Sequence, residues 1–197
     1  GIIDTGCNDD EKRHGLSRYV GKSIVWFDTS ANKKKSQKRT KGGSYINEEE
    51  KRIILEILDD LKSTGELKGL DIGIITGYSG QKELLRKSIK ATGLDKIASK
   101  IDINTLDAFQ GRENDIIIYS TVRTRDSIGF QKEKERVNVA FSRAKKLLIV
   151  CGDKNFFYNF DDQDNKFVEI IDYISEEEEC EIIQCDGGKL FERESNS

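Results

Sequence analysis

Two arginines, Arg136 and Arg143, stand seven positions apart in the stretch KERVNVAFSRAKKLLIV, residues 134–150. On an ideal helix a spacing of seven leaves them only about 20° apart in angle and about 10 Å apart along the axis. Val137, Ala140, Phe141 and Ala144 form an apolar stripe roughly 90° away from them, so both arginines would sit at the border of the buried face. From there a long side chain covers the core edge and still presents its guanidinium in a groove. Arginine suits phosphate oxygens because its planar fork keeps its charge and bonds in pairs. A plainer reading fits the spacing equally well: two arginines lying along the surface, paired with Glu133 or Glu135.

Two further stretches carry residue types suited to an anionic ligand. In INTLDAFQGRENDIII (103–118) Thr105 ends an expected strand, Leu106 and Phe109 anchor one helical turn, Gln110-Gly111 permit a tight turn, and Glu113 precedes the next strand. A hydroxyl, a glycine turn and an acid between two core strands suit a ligand edge; a well-capped connection is the plainer alternative. In IITGYSGQKELLRK (74–87) Thr76 closes a strand and Gly77, Tyr78 and Ser79 lead into a helix. Ser79 is the expected N-cap, and an open helix N-terminus attracts anions. Tyr78 suits base stacking or the core, and Gln81 is expected to project towards the same rim. The basic run NKKKSQKRTK (32–41) reads first as a solvated loop, with electrostatic guidance of nucleic acid as the alternative.

The elements that must position these residues alternate. SIVWFDT (23–29) reads as a strand. NEEEKRIILEILDDLKS (47–63) reads as a helix capped by Asn47, with acids in its first turn and a stripe of Ile53, Ile54, Ile57, Leu58 and Leu61. DIGIIT (71–76), KIDINT (100–105), DIIIYSTV (115–122) and KLLIVCG (146–152) read as strands, with helices after Gly77 and over 133–144. Near-continuous apolar strands between amphipathic helices imply an α/β fold, a mainly parallel sheet with helices on both faces. Right-handed crossovers would gather the loops after the strands along one ligand-binding edge. NFFYNF and KFVEIIDYI suit one or two helices, followed by an acidic turn and a short edge strand.

With 197 residues, 35% of them charged, and a net charge of −3, the chain is long enough for one core, and its total charge favours no partner class. No apolar run approaches the roughly 20 residues that span a bilayer, so no membrane role and a cytoplasmic location are expected. Cys7, Cys151, Cys180 and Cys185 lack metal-ligand spacing and read as reduced thiols, with no metal site expected. The chain has no Met and no Pro, and the missing initiator marks it as an expected piece of a longer protein.

Three of these stretches, in this order, resemble motifs IV, V and VI of superfamily 1 helicases, in the branch of the nonsense-decay RNA helicase. ITGYSGQ is similar to T-P-Y-x-x-Q, with Gly77 in place of proline. NTLDAFQGRENDIIIYSTVR resembles T-x-D-x-F-Q-G-x-E-x-D at Thr105, Asp107, Phe109, Gln110, Gly111, Glu113 and Asp115. RVNVAFSRAKK resembles R-x-N-V-A-x-[ST]-R-A-[KR], and SYINEEE resembles the S-x-x-N-x-x-E helix start of the same proteins. The resemblance spans about residues 23–153. It implies the second RecA-like domain of an ATP-driven motor, a P-loop NTPase fold without its own P-loop. It further implies that Arg143 is the arginine finger and that Glu113 meets the nucleotide sugar, with Arg136, Gly111 and Gln110 in the same ATP cleft. Thr76, Tyr78, Ser79, Gln81 and Thr105 would contact single-stranded DNA or RNA.

No G-x-x-x-x-G-K-[ST] occurs, no D-E pair ends a strand, and LDD (58–60) falls within a helix. The phosphate cradle and the Mg2+ that accompanies ATP are therefore expected on a first RecA-like domain of the parent chain, and this chain alone is expected not to hydrolyse ATP. The expected organisation is an irregular leading segment (1–22), a RecA-like helicase domain (23–175) and a partly ordered acidic tail (176–197). The competing reading is a RecA-like module that binds nucleic acid or protein partners without turnover, in a larger repair, defence or RNA-processing protein.

Overall fold

The computed structural model describes residues 15–191, apart from 33–35, 99, 110, 133 and 162–164 and the side chains of 130, 134–136 and 139. The chain enters through a short 3-10 turn (Ser17–Tyr19) and continues as β1 (Ile24–Asp28), β2 (Gln37–Arg39), β3 (Tyr45–Asn47), α1 (Glu48–Ser63), β4 (Asp71–Thr76) and α2 (Ser79–Thr92). After these come β5 (Lys100–Thr105), β6 (Asn114–Ser120), α3 (Lys134–Phe141), β7 (Ala144–Gly152), α4 (Lys154–Tyr158), α5 (Lys166–Glu176) and β8 (Cys180–Gln184).

Six strands form one sheet in the order β5-β4-β6-β7-β1-β8, and every neighbouring pair is parallel. Strand β6 shows why: Ile116 to Ser120 are all fully buried, which requires cover on both faces. On one face Ile53, Ile54, Ile57 and Leu58 of α1 and Leu85 and Ile89 of α2 pack on Ile72, Ile74, Ile116 and Ile118. On the other, Val137 and Phe141 of α3, Phe157 of α4 and Phe167, Ile170 and Ile174 of α5 pack on Trp26, Ile117, Tyr119 and Val150. The expected parallel α/β architecture with helices on both faces is thus observed.

The connection from β5 to β6 is unusual. It must return from the C-terminal to the N-terminal edge of the sheet within residues 106–113. At most about 3.5 Å per residue limits those eight residues to roughly 28 Å, against a strand height of about 20 Å. No crossover helix fits. The chain instead makes a single 3-10 turn (Asp107–Phe109) and lies against the sheet. Gly73, in the middle of β4, provides the room: a Cβ there would stand 2.5 Å from Phe109 Cζ, 2.6 Å from Ile117 Cδ1 and 2.9 Å from Asn114 Oδ1.

Several boundaries differ from the sequence expectation. The helix expected over 133–144 spans Lys134–Phe141, so Arg143 lies beyond its end. The acidic tail contributes β8, which pairs along the whole of β1, so the sheet extends past residue 175. Ordered structure also precedes residue 23: Leu16 and Tyr19 are buried in the core, and Arg18 pairs with Asp60 at 2.7 Å. The basic loop contains an antiparallel hairpin in which Gln37 pairs with Asn47 and Arg39 with Tyr45.

Candidate functional site

The candidate residues fall on two opposite edges of the sheet, not on one. Parallel pairing sets Thr76 directly beside Thr105 at the C-terminal ends of β4 and β5. At the N-terminal ends of β6 and β7, Asn114 registers with Ala144, which makes Glu113 and Arg143 neighbours. The expectation that all candidates line a single rim is corrected by this topology. The crossing segment 106–113 runs between the edges, with Thr105 at one end and Glu113 at the other.

At the C-terminal edge most polar side chains are turned inward. Gln81 is fully buried: its Oε1 accepts the Asn47 N–H at 2.8 Å, and its Nε2 donates to Asn47 O at 3.2 Å and to Ser120 Oγ at 3.0 Å. It therefore clasps α2 to the start of α1 rather than projecting to the rim. Thr76 is equally buried, its Oγ1 accepting the Tyr78 N–H at 3.4 Å. Tyr78 is only 4% exposed and meets Tyr45 edge to face, 5.6 Å between ring centroids, which makes it a core tyrosine in this structure. Ser79 is not the N-cap of α2; Tyr78 holds that position without a side-chain cap bond, and Ser44 from the hairpin accepts the Gly80 N–H at 3.0 Å. Ser79, exposed, and Thr105, half-buried, are the two candidates that reach the surface here.

The sequence reading missed the centre of this network. Glu50, one of three acids in the first turn of α1, is fully buried. Its carboxylate accepts the Val122 N–H at 2.8 Å, the Ser120 hydroxyl at 2.6 Å, the Thr121 hydroxyl at 3.2 Å and an Asn47 amide N–H at 3.1 Å. Burial pushes the Glu50 carboxyl up to about 8, and these donors hold part of that rise back. They also support Val122 at φ 71, a conformation a β-branched residue rarely adopts. The S-x-x-N-x-x-E spacing was the available signal: Ser44 bonds to the first turn of α2, Asn47 caps α1 through the Glu49 and Glu50 N–H groups, and Glu50 holds the end of β6.

The N-terminal edge is open. Gly111, at φ 80, Arg112 and Glu113 are all exposed. Arg112 pairs with Asp102 at 2.6 Å. Asp115 accepts the Asp71 N–H at 3.1 Å and pairs with Lys146, also at 3.1 Å, which stitches β6 to the strands on either side. Arg143 sits between α3 and β7, its carbonyl held by the Asn114 N–H at 3.2 Å. The residue is half-buried, and its Nε is buried without a hydrogen-bond partner. The helical-phase relation to Arg136 therefore does not apply, because Arg143 is off the helix. The Arg136 side chain and Gln110 lie outside the described residues.

Among the described residues no group of three His, Cys, Asp or Glu side chains is arranged to hold a metal ion, and no helix is long and apolar enough to cross a membrane. Cys151, Cys180 and Cys185 are buried free thiols, and Cys7 lies outside the described residues.

A protein family described as an AAA domain matches residues 6–155, more than half of the chain. An uncharacterised ATP-dependent helicase of Methanocaldococcus jannaschii is 38% identical over 144 residues, covering 72% of this chain and 20% of that protein. DNA polymerase alpha-associated DNA helicase A of Saccharomyces cerevisiae is 36% identical over 138 residues, covering 66% and 19%. A regulator of nonsense transcripts 1 homologue of Neurospora crassa is 38% identical over 116 residues, covering 57% and 10%. The chain thus spans a fifth or less of the length of these relatives.

Proposed function

This chain belongs to the AAA-domain family matched over residues 6–155, and we propose that it is the C-terminal, RecA-like domain of a superfamily 1 helicase, the second motor half of an ATP-dependent helicase or translocase. In this reading the N-terminal edge faces the ATP held by a first RecA-like domain. Arg143 is the arginine finger, Glu113 contacts the sugar, and Gly111, Gln110 and Arg136 complete the wall. Mg2+ belongs mainly to the first domain. The C-terminal edge binds single-stranded nucleic acid through Thr105 and Ser79, with Thr76, Tyr78 and Gln81 shaping that surface from within.

The observation that carries the proposal is the setting of Arg143: a backbone pinned by Asn114, a half-buried side chain, and a buried Nε with no partner. A buried guanidinium donor left unbonded is costly, and a phosphate oxygen arriving from across a cleft would remove that cost. ATP, when bound, supplies the phosphoanhydride bond; Arg143 orients the terminal phosphate and offsets the charge that develops on its oxygens.

The test is steady-state hydrolysis by the intact parent protein, which is expected to carry the phosphate-cradling domain. Arg143→Ala should lower kcat by about 10³-fold or more while leaving nucleotide binding within a few-fold. A variant with unchanged kcat would remove the finger assignment. Hydrolysis by this chain alone, abolished by the same substitution, would instead overturn the assignment of the phosphate cradle to another domain.

A further inference from the structure

The hairpin β2–β3 stands out by charge and by attachment. No acid occurs between Asp28 and Glu48, in a chain whose net charge is −3. Elsewhere acids lie close enough to pair with several cations: Lys51 with Glu48, Arg52 with Glu49 and Glu56, Arg86 with Glu83, Arg112 with Asp102, and Lys146 with Asp115. Among the described residues Lys38, Arg39 and Lys41 are exposed and make no ion pair; Arg39 donates only to its own loop, at Gly43 O, 3.4 Å away.

These cations are carried on a hairpin that is fastened down. Gln37 is buried, its Oε1 accepting the Thr124 N–H at 2.9 Å and its carbonyl accepting from Arg125 at 3.4 Å. Ser44 bonds to the first turn of α2. The Tyr45 ring packs edge-on to Tyr78 and lies under the Arg123 guanidinium, 4.0 Å from its centre. The turn closes through Thr40 N–H to Ser44 O at 2.7 Å and Gly43 N–H to Thr40 O at 3.0 Å. Each attachment point (Thr124, Gly80, Tyr78) belongs to the C-terminal edge. Beneath the hairpin Arg123 is only 4% exposed, and its Nε is buried without a partner. This junction therefore concentrates positive charge that no described carboxylate neutralises.

We propose that the β2–β3 hairpin is a fixed phosphate-contacting arm: single-stranded nucleic acid crossing Thr105 and Ser79 continues onto Lys38, Arg39 and Lys41. The inference rests on the nucleic-acid reading of the C-terminal edge given above. A basic loop that must be ordered on binding loses conformational entropy at that moment; this one is already ordered. Its contacts are to backbone phosphate, so they add affinity and salt sensitivity without sequence preference.

The experiment measures fluorescence anisotropy of a labelled oligothymidylate or oligouridylate of about 15 nucleotides with this chain, over rising salt. The triple variant K38A/R39A/K41A should bind about tenfold more weakly near 0.1 M salt, and its log Kd against log salt slope should fall by about 2, three contacts at roughly 0.7 each. All three side chains are exposed, so its melting temperature should match that of the unsubstituted chain. Unchanged affinity and slope in this variant, with binding still abolished by S79E/T105D, overturn the hairpin arm and leave the edge reading standing. Binding that survives S79E/T105D, or no binding by the unsubstituted chain at all, overturns the edge reading and the arm as its extension.

Discussion

Along the C-terminal edge, polar side chains are bonded within the fold: Gln81 clasps Asn47 and Ser120, and Glu50 gathers donors from Asn47, Ser120, Thr121 and Val122. Along the N-terminal edge, Gly111, Arg112 and Glu113 stand in solvent, and Arg143 keeps an unbonded Nε. One edge is bonded largely within itself, with Arg123 Nε as an exception beneath the hairpin, and offers a shaped surface with few outward groups. The other is arranged as half of a site. Substitutions should therefore cost stability at the first edge and chemistry at the second.

The largest expected effect on folding comes from opening the closed network. Gln81→Ala removes the side-chain partner of the Asn47 N–H and carbonyl, leaves the Ser120 hydroxyl with its bond to Glu50 alone, and should cost about 3 kcal/mol. Urea unfolding would report it as a lower midpoint at constant slope. Arg143→Ala should move that midpoint by no more than about 0.5 kcal/mol; equal losses for the two variants would erase the contrast between the edges.

Next is the link between them. Gly73→Ala places a methyl group against Phe109, Ile117 and Asn114 and should cost about 2 kcal/mol by overpacking. The strain should appear as faster amide exchange over 106–113, with α1 unaffected. Protection unchanged over 106–113 would mean that Phe109 does not hold the crossing in place.

Another effect depends on pH. Burial raises the Glu50 carboxyl from its ordinary 4.5 to about 8. Between those values the folded chain retains a proton that the unfolded chain has released, so this group's contribution to stability falls as pH rises through the window and levels off above about 8. The melting temperature should decline from pH 5 to 8, and Glu50→Gln should flatten that decline. Parallel slopes for the two proteins would exclude Glu50 as its source.

The smallest effect is expected at the open edge. Arg112→Ala removes an ion pair whose arginine side chain is 54% exposed, and should cost well under about 1 kcal/mol. Melting at low and high salt would check it; a loss comparable with that of Gln81→Ala would show the open edge to be as closed as its counterpart.

Strands β4 to β7 and helices α1 and α2 were legible because their apolar runs and stripes are long enough to declare their period. A short edge strand was legible after the acidic turn as well, but the order of the six strands was not. Strand β8 follows a run of four glutamates, and its pairing with β1 is supplied by the fold, not by its composition. The two three-residue strands of the hairpin are too short and polar to show alternation. Helix α3 stops two residues before Arg143 without a glycine or proline to announce it. The residue types of the candidate site were legible, but their division between two edges was not. Thr105 and Glu113 are close in sequence, and only the sheet topology sends the chain from one edge to the other between them. Glu50 was hidden for a related reason: an acid in a first helical turn already has an adequate local explanation.

The crossing over Gly73 also has a consequence for how this protein can change. Loops are ordinarily where chains tolerate insertions and deletions. Residues 106–113 are constrained differently: one residue fewer must unwind the Asp107–Phe109 turn, and one more must arch away from the strand beneath, so either change lifts Phe109 off Gly73. Length here is therefore held by the seat of Phe109 on the sheet, the point at which the segment between Thr105 and Glu113 is fastened. The segment acts as a connecting rod of fixed length laid across the sheet.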